Sequence, residues 1–184
     1  MSATSAPFGF RPAFHPSGLI RARKYTIASG YGTAMYKGQP CILNTNGTVT
    51  VGTAAADLLG VFAGCEYTDS TGKPTVSTSW PASTTATNIT AWVYDDPDIV
   101  YEVQSSGSIP QTAVGDQADV ANVGNNANGL STCQISSTLA GAGVQAQWSI
   151  EGFGGQADNL PGDAFTIVQV RLARSQKRSN KVAV

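Results

Sequence analysis

This chain has little of what most enzymes need for catalysis. It contains one histidine, His15, and three cysteines, Cys41, Cys65 and Cys133, with no Cys-x-x-Cys pair. Because His15 lies in a proline-rich stretch near the start, a Ser/His/Asp or Cys/His arrangement would have to use a residue outside the expected folded body. The cysteines are widely spaced within apolar or β-like runs, so we expect buried, reduced side chains. The sequence therefore predicts no catalytic residues and disfavours an enzyme.

Sequence motifs for phosphates, nucleotides and metals are also missing. No Gly-x-x-x-x-Gly-Lys-Ser/Thr occurs, and Gly152-Phe153-Gly154-Gly155 lacks the spacing of a dinucleotide-binding loop. The run Asp95-Asp96-Pro97-Asp98 is the one carboxylate cluster of the sequence, but it lacks the spacing of a calcium loop. We therefore expect no cofactor and no metal, and we interpret this run as a β-turn whose acidic tip is solvated or binds a basic arm.

Long apolar runs are absent as well. The longest, around residues 58–65, is far shorter than the ~20 residues that a membrane helix needs. The first residues do not combine a basic segment with an apolar run, as a secretory signal would. We expect a soluble protein that is synthesised in a cytoplasm and has no membrane partner.

Charged residues are scarce and unevenly placed. They make up 12% of the chain, against about 25% in an ordinary globular protein. Every acidic residue lies between Asp57 and Asp163, whereas ten of the eleven Lys and Arg lie outside that window, so the net charge of −1 hides two basic ends around an acidic middle. We expect the ends to bind the acidic body of another copy or a larger acidic surface. The alternative is that both ends are simply solvated.

The N-terminal stretch combines prolines with phenylalanines. Pro7, Pro12 and Pro16 oppose a helix, so residues 1–23 are predicted to form an extended arm. Its phenylalanines are expected either to anchor in pockets of a partner or to fold back and close the chain's own core. The predicted partner-binding residues of the two ends are Phe8, Phe10, Arg11, Phe14, Arg21, Arg23, Arg174, Lys177 and Arg178, and the predicted acidic partner surface is Asp95, Asp96 and Asp98.

The pattern of residues 24–172 is typical of β-structure. Asn46-Gly47 separates two β-type runs and predicts a hairpin with a two-residue type I′ turn. Other runs predicted as strands are 58–68, 75–80, 89–94, 99–104, 130–136, 147–151 and 165–172. Helical periodicity is not sustained anywhere; residues 111–114 look like a helical turn and 115–129 like an irregular loop. We predict one all-β domain, a sandwich or barrel, followed by a basic C-terminal tail at residues 173–184.

Short segments carry a family resemblance. They are Ala6-Pro7-Phe8-Gly9-Phe10-Arg11-Pro12, Leu59-Gly60-Val61-Phe62-Ala63-Gly64 with Glu66-Tyr67, Tyr94-Asp95-Asp96-Pro97, Tyr101-Glu102-Val103-Gln104 and Gly115-Asp116. They resemble small head proteins of tailed bacteriophages, of the decoration or cement type. The resemblance runs from the arm to about Phe165 and implies a structural virion protein on the capsid surface, bound to the major capsid protein and cementing neighbouring capsomers.

Partners follow from the same reading. A homotrimer is favoured, since it suits three-fold positions on a shell, and a dimer would fit an exchange of arms. Nucleic acid is disfavoured as a partner, because the acidic body would repel a phosphate backbone. The alternative function is a virion-surface protein that binds a receptor or glycan, which would require Trp80, Trp92 and Trp148 to form an exposed stacking face.

Overall fold

Antiparallel β-strands form the regular structure of residues 2–125 and 129–178, which the computed structural model describes. The strands are β1 Arg11–Phe14, β2 Arg23–Tyr25, β3 Met35–Tyr36, β4 Pro40–Leu43, β5 Val49–Val51, β6 Gly60–Asp69, β7 Pro74–Ser77, β8 Ser79–Trp80, β9 Ala86–Tyr94, β10 Val100–Gln104, β11 Gln117–Ala118, β12 Val120–Ala121, β13 Gln134–Ile135, β14 Trp148–Phe153 and β15 Ile167–Leu172. The predicted all-β class is confirmed.

Two larger sheets organise these strands. One has five strands in the order β1-β10-β15-β14-β11, and the other has the order β2-β9-β6-β4-β5, with β7 paired to β6. The remaining strands of the described residues form two short pairs, β3 with β8 and β12 with β13. Each sheet is open, so the arrangement is sandwich-like.

The core consists of two apolar clusters on opposite faces of the six-stranded sheet. Successive side chains of a strand point to opposite faces, and β6 shows this directly: Val61 belongs to the first cluster and Phe62 to the second. The first cluster also contains Trp148, Val168 and Val170 of the five-stranded sheet. Burial on both faces explains why the predicted run at 58–68 is almost continuously apolar.

The predicted hairpin is present, but its predicted turn type is wrong. Cys41 pairs with Val51 and Leu43 with Val49, which leaves a longer loop than two residues. The Gly47 N–H donates to the Asn44 carbonyl, 2.9 Å, and Gly47 has φ 78°, while Asn46 is not among the residues with positive φ. This is a type I turn followed by a left-handed glycine, the geometry of a three-residue loop.

Other local predictions have mixed outcomes. The helical turn is a 3₁₀ turn at Gln111–Ala113, which follows Pro110. The stretch 115–129 is not wholly irregular, because β11 and β12 lie in it; its residues 126–128 are outside the described residues. Strand β1 lies in the arm predicted for residues 1–23, and β2 begins at the last residue of that arm, Arg23, so part of the arm is paired to the body. Pro12 is compatible with β1 because β1 is an edge strand.

Candidate interaction surface

The N-terminal segment is seated on the body by β1 and by one buried aromatic ring. Strand β1 pairs with β10, with Arg11 opposite Glu102. Phe10 is 1% exposed and stacks on Trp148 with ring centroids 4.4 Å apart. The preceding Gly9 has φ 75°, and a Cβ there would lie 2.8 Å from the Gly38 carbonyl oxygen. Glycine thus permits the close approach that brings Phe10 into the core.

The three predicted phenylalanine anchors therefore have three different environments. Phe10 follows the fold-back alternative, so in this conformation its ring is closed to a partner. Phe8 is half-buried, and the guanidinium carbon of Arg11 lies 4.9 Å from its ring centroid. Phe14 is 55% exposed at the end of β1. Of the three, Phe14 is the side chain most accessible to a partner.

The acidic turn between β9 and β10 is the centre of a charge cluster. Asp95 is 1% exposed and accepts a hydrogen bond from the Tyr25 hydroxyl at 2.6 Å. The Lys177 ammonium lies 2.6 Å from the same carboxylate, and Nε of Arg23 lies 3.5 Å from its other oxygen. The solvated alternative of our interpretation is wrong for Asp95, because groups from both ends of the chain bury its carboxylate. Its contact with Arg23 matches the other alternative, an acidic tip that binds a basic arm, and is made within one chain.

This burial shifts the titration of the neighbouring groups. Desolvation raises the pKa of Tyr25, and the hydrogen bond that its hydroxyl donates to Asp95 raises it further. Partial burial lowers the pKa of Lys177, but its hydrogen bonds to Asp95 and Tyr25 outweigh that effect, and the net shift is upward. The ammonium form of Lys177 and the neutral form of Tyr25 are therefore favoured around the buried carboxylate.

The other two predicted acids of the turn are exposed and interact more loosely. Nε2 of His15 lies 3.5 Å from an oxygen of Asp96, whose side chain is 42% exposed. The Ser17 N–H donates to Nδ1 of His15 at 3.1 Å, which leaves Nε2 as the ring nitrogen that can donate towards Asp96. Asp98 lies 3.9 Å from Arg171, which also contacts Glu151 at 3.2 Å. Such exposed pairs contribute little stability.

The described part of the C-terminal tail is packed on the body. Arg174 pairs with Asp57 at 2.9 Å. The Gln176 side chain accepts from the Leu43 N–H at 2.8 Å and donates to the Leu43 carbonyl at 3.0 Å. Arg178 donates to the Leu172 carbonyl at 3.1 Å. The described residues of both predicted ends thus pack on the body, whereas residues 179–184 of the predicted tail lie outside the described residues.

The predicted basic residues consequently fall into two groups. Within residues 2–125 and 129–178, several of them have carboxylate partners in the same chain: Arg11, Arg23, Arg174 and Lys177. Arg21 and Arg178 are exposed and have no ion pair to a described residue, although Arg178 donates to the Leu172 carbonyl. The structure therefore brings the basic ends and the acidic turn together inside one subunit; pairing between subunits stays a prediction.

Reactive groups do not converge elsewhere in the described residues. No group of three or more His, Cys, Asp or Glu that could hold a metal occurs there. Burial raises the pKa of the thiols of Cys41 and Cys133, and it raises that of Cys65 to about 11. All three thiols are therefore protonated at neutral pH, whereas a cysteine nucleophile needs a lowered pKa. The same part of the chain has no helix that is long and apolar enough to span a membrane.

The three tryptophans do not form a common surface. Trp80 and Trp148 are 0% exposed, in the second and first core cluster respectively. Trp92 is half-buried, and the Lys24 ammonium lies 5.1 Å from its ring centroid. The exposed stacking face that the glycan-binding alternative requires is therefore not formed by these residues.

The sequence did not single out Tyr25 or the burial of Asp95. Nothing in the local sequence marks Tyr25, because its role in the charge cluster comes from Asp95 and Lys177, which are far from it along the chain.

Comparison of this chain with protein-family models, with curated proteins and with solved structures finds no match.

Proposed function

We propose that this protein is a structural virion component that binds the outside of a phage capsid and cements neighbouring capsomers, without catalysis. The segment between β1 and β2 carries the proposal. It links the edge strand of the five-stranded sheet to the edge strand of the six-stranded sheet. Along it lie Phe14, 55% exposed, Leu19, 51% exposed, and the exposed Arg21. We call these three residues the arm surface.

The arm surface has the composition of a binding site rather than of a solvated connection. Aromatic residues and arginine are enriched in protein–protein interfaces, where they supply most of the binding energy. Fixing both ends of the segment in strands lowers the conformational entropy lost on docking. Two exposed apolar side chains near in sequence to an arginine that has no ion pair to a described residue would suit an acidic, partly apolar patch on the shell.

The rest of the surface also suits a protein that packs into an assembly. The chain is poor in charge and has a formal net charge of −1, so long-range repulsion between copies is small. A cement protein gains avidity from many weak contacts made by neighbouring copies rather than from one tight site. Deleting the predicted arm would test little, because the deletion would also remove Phe10 from the core.

Point variants of the arm surface provide the test. Particles that lack this chain are mixed with the wild-type protein or with the double variant Phe14→Ser, Leu19→Ser, and bound protein is measured after sedimentation. The matched control is Val144→Ser, which changes a side chain that is 64% exposed elsewhere. We expect the double variant to lose binding and the control to keep it. Equal binding of all three proteins would contradict the assignment of the arm surface.

The cementing role needs a second measurement. Decorated and bare particles are heated while release of packaged DNA is followed, since binding across capsomers stabilises the assembled shell by mass action. We expect DNA release at a higher temperature from the decorated particles. Equal release temperatures would refute the cementing role. Bare particles that are stable but adsorb poorly to cells would instead support the receptor- or glycan-binding alternative.

A further inference from the structure

An apolar groove lies beside the N-terminal segment. Its volume is about 380 Å³, and its walls include Pro7, Phe8, Phe62, Tyr94 and Leu130. Leu130 is 54% exposed and Phe8 is half-buried, so apolar surface is open to solvent here. Lys37 and Arg11 also line the groove, and because Arg11 is paired with Glu102, Lys37 supplies its positive charge.

The groove is built on fixed backbone. The Phe10 N–H donates to the Gly38 carbonyl at 2.8 Å, and the Gly38 N–H donates to the Phe62 carbonyl at 2.9 Å. These bonds join the N-terminal segment to the six-stranded sheet along the floor of the groove. A preformed site of this kind binds without a large ordering cost.

A complementary feature lies on the loop between β14 and β15. Leu160 is 64% exposed, and Pro161 and Gly162 after it are exposed as well. The loop residues 154–166 contain Asp158 and Asp163 and no Lys or Arg. We call Leu160 and Pro161 the knob.

The knob is held rigidly. Asn159 is 6% exposed, its side chain donates to the Ile167 carbonyl at 2.8 Å, and it accepts from the Ile167 N–H at 2.8 Å. The Asp163 carboxylate accepts from the Leu160 N–H at 2.8 Å, and the Gly162 N–H donates to the Ile109 carbonyl at 2.8 Å. A leucine fixed in water by such a network gains no stability from its exposure, whereas burying it in a partner would be favourable.

We propose that the knob of one copy docks in the apolar groove of a second copy, in a head-to-tail contact. The occupant is favoured by polarity and charge together: an apolar tip on a loop that carries Asp158 and Asp163 meets an apolar groove with Lys37 on its wall. Because knob and groove are different surfaces of one chain, each copy offers both, and repetition closes into a ring such as a trimer or continues as a filament. The contact deepens the proposed function by naming how copies would bind one another, but it does not require shell binding.

The test uses purified full-length protein without particles, so its failure is separate from a failure of the capsid proposal. Molar mass is measured by sedimentation over a wide concentration range for wild type, Leu160→Asp and Leu130→Asp. The control is Val144→Asp, because Val144 has the same 64% exposed fraction as Leu160. We expect each knob or groove variant to weaken the association constant by about 10- to 100-fold, the effect of no longer burying one leucine. The control should associate as wild type does.

Mixing the two variants distinguishes this contact from any symmetric one. Leu160→Asp keeps an intact groove and Leu130→Asp an intact knob, so a mixture should form a dimer that neither forms alone. Wild type that stays monomeric, variants that associate normally, or a mixture that shows no dimer would each overturn the proposal. Near-ultraviolet circular dichroism checks folding, and Leu160→Ser replaces Leu160→Asp if the latter fails to fold.

Discussion

Replacing Phe10 by alanine should unfold the protein at much lower denaturant concentration. Phe10 is 1% exposed and its ring stacks on Trp148 with an interplanar angle of 21°. Truncating a buried phenylalanine to alanine costs about 3–5 kcal/mol, because apolar contacts are lost and a cavity remains. A domain is stable by only about 5–15 kcal/mol, so the loss is a large part of the total.

The measurement is the midpoint of urea unfolding followed by tryptophan fluorescence, which reports on Trp148 among others. With a slope of about 2 kcal/mol per molar urea, the expected loss lowers the midpoint by roughly 1.5–2.5 M. The matched control is Phe14→Ala, since Phe14 lies on the same segment but is 55% exposed. We expect the control to change the free energy of unfolding by less than about 1 kcal/mol.

The comparison decides between the two expectations for the phenylalanines of the arm. If Phe10 closes the chain's own core, its variant is destabilised far more than the Phe14 variant. Midpoints that agree to within about 0.5 M, a difference of about 1 kcal/mol at that slope, would refute the reasoning, because Phe10 would then contribute no more than an exposed side chain.

Two further predictions concern the charge cluster at Asp95. Lys177→Met should lower the free energy of unfolding in urea by about 1–3 kcal/mol, because it removes a partner 2.6 Å from a buried carboxylate. The control Lys73→Met, on the surface, should change that free energy by less than about 0.5 kcal/mol. Equal effects of the two variants would contradict a stabilising role of Lys177. The pKa values of Lys177 and Tyr25 are raised on folding, so their contribution to stability is complete below the ordinary values of 10.5 and 10.0 and is lost as the pH rises through the folded values. As the pH rises above about 10, the thermal midpoint should fall more steeply in wild type than in Lys177→Met; parallel curves would argue against this linkage.

Local patterns predicted the β-structure well. The alternation of Tyr101 and Val103 with Glu102 places the first two in the core, and the structure leaves them 1% and 0% exposed. The hairpin at Asn46-Gly47 is also present. Its turn type was not predictable from the dipeptide, because the register of Leu43 opposite Val49 is fixed by core packing of the whole sheet.

Long-range placement was harder to predict. The prolines opposed a helix and predicted only an extended arm. A local pattern could not show that the edge of β10 would accept Pro12 and its neighbours as a strand, because an edge position needs fewer backbone donors. The burial of Asp95 depends on Tyr25 and Lys177, which are far from it in sequence. No local pattern distinguishes Asp95 from its neighbour Asp96, because the difference comes from the ends of the chain that cover it.

The stacking of Phe10 on Trp148 has a consequence for synthesis of the protein. During translation Phe10 leaves the ribosome long before Trp148. At about 5–20 residues per second, the interval between them is on the order of ten seconds. Strand β1 likewise waits for β10, and Leu58 waits for Ser175, to which it is bridged. The nascent chain therefore emerges with open sheet edges and an uncovered aromatic ring, and these contacts form only after residues 100–175 have been synthesised. Because open edges and exposed apolar surface favour aggregation, we expect its yield in a cell to depend on chaperone capacity.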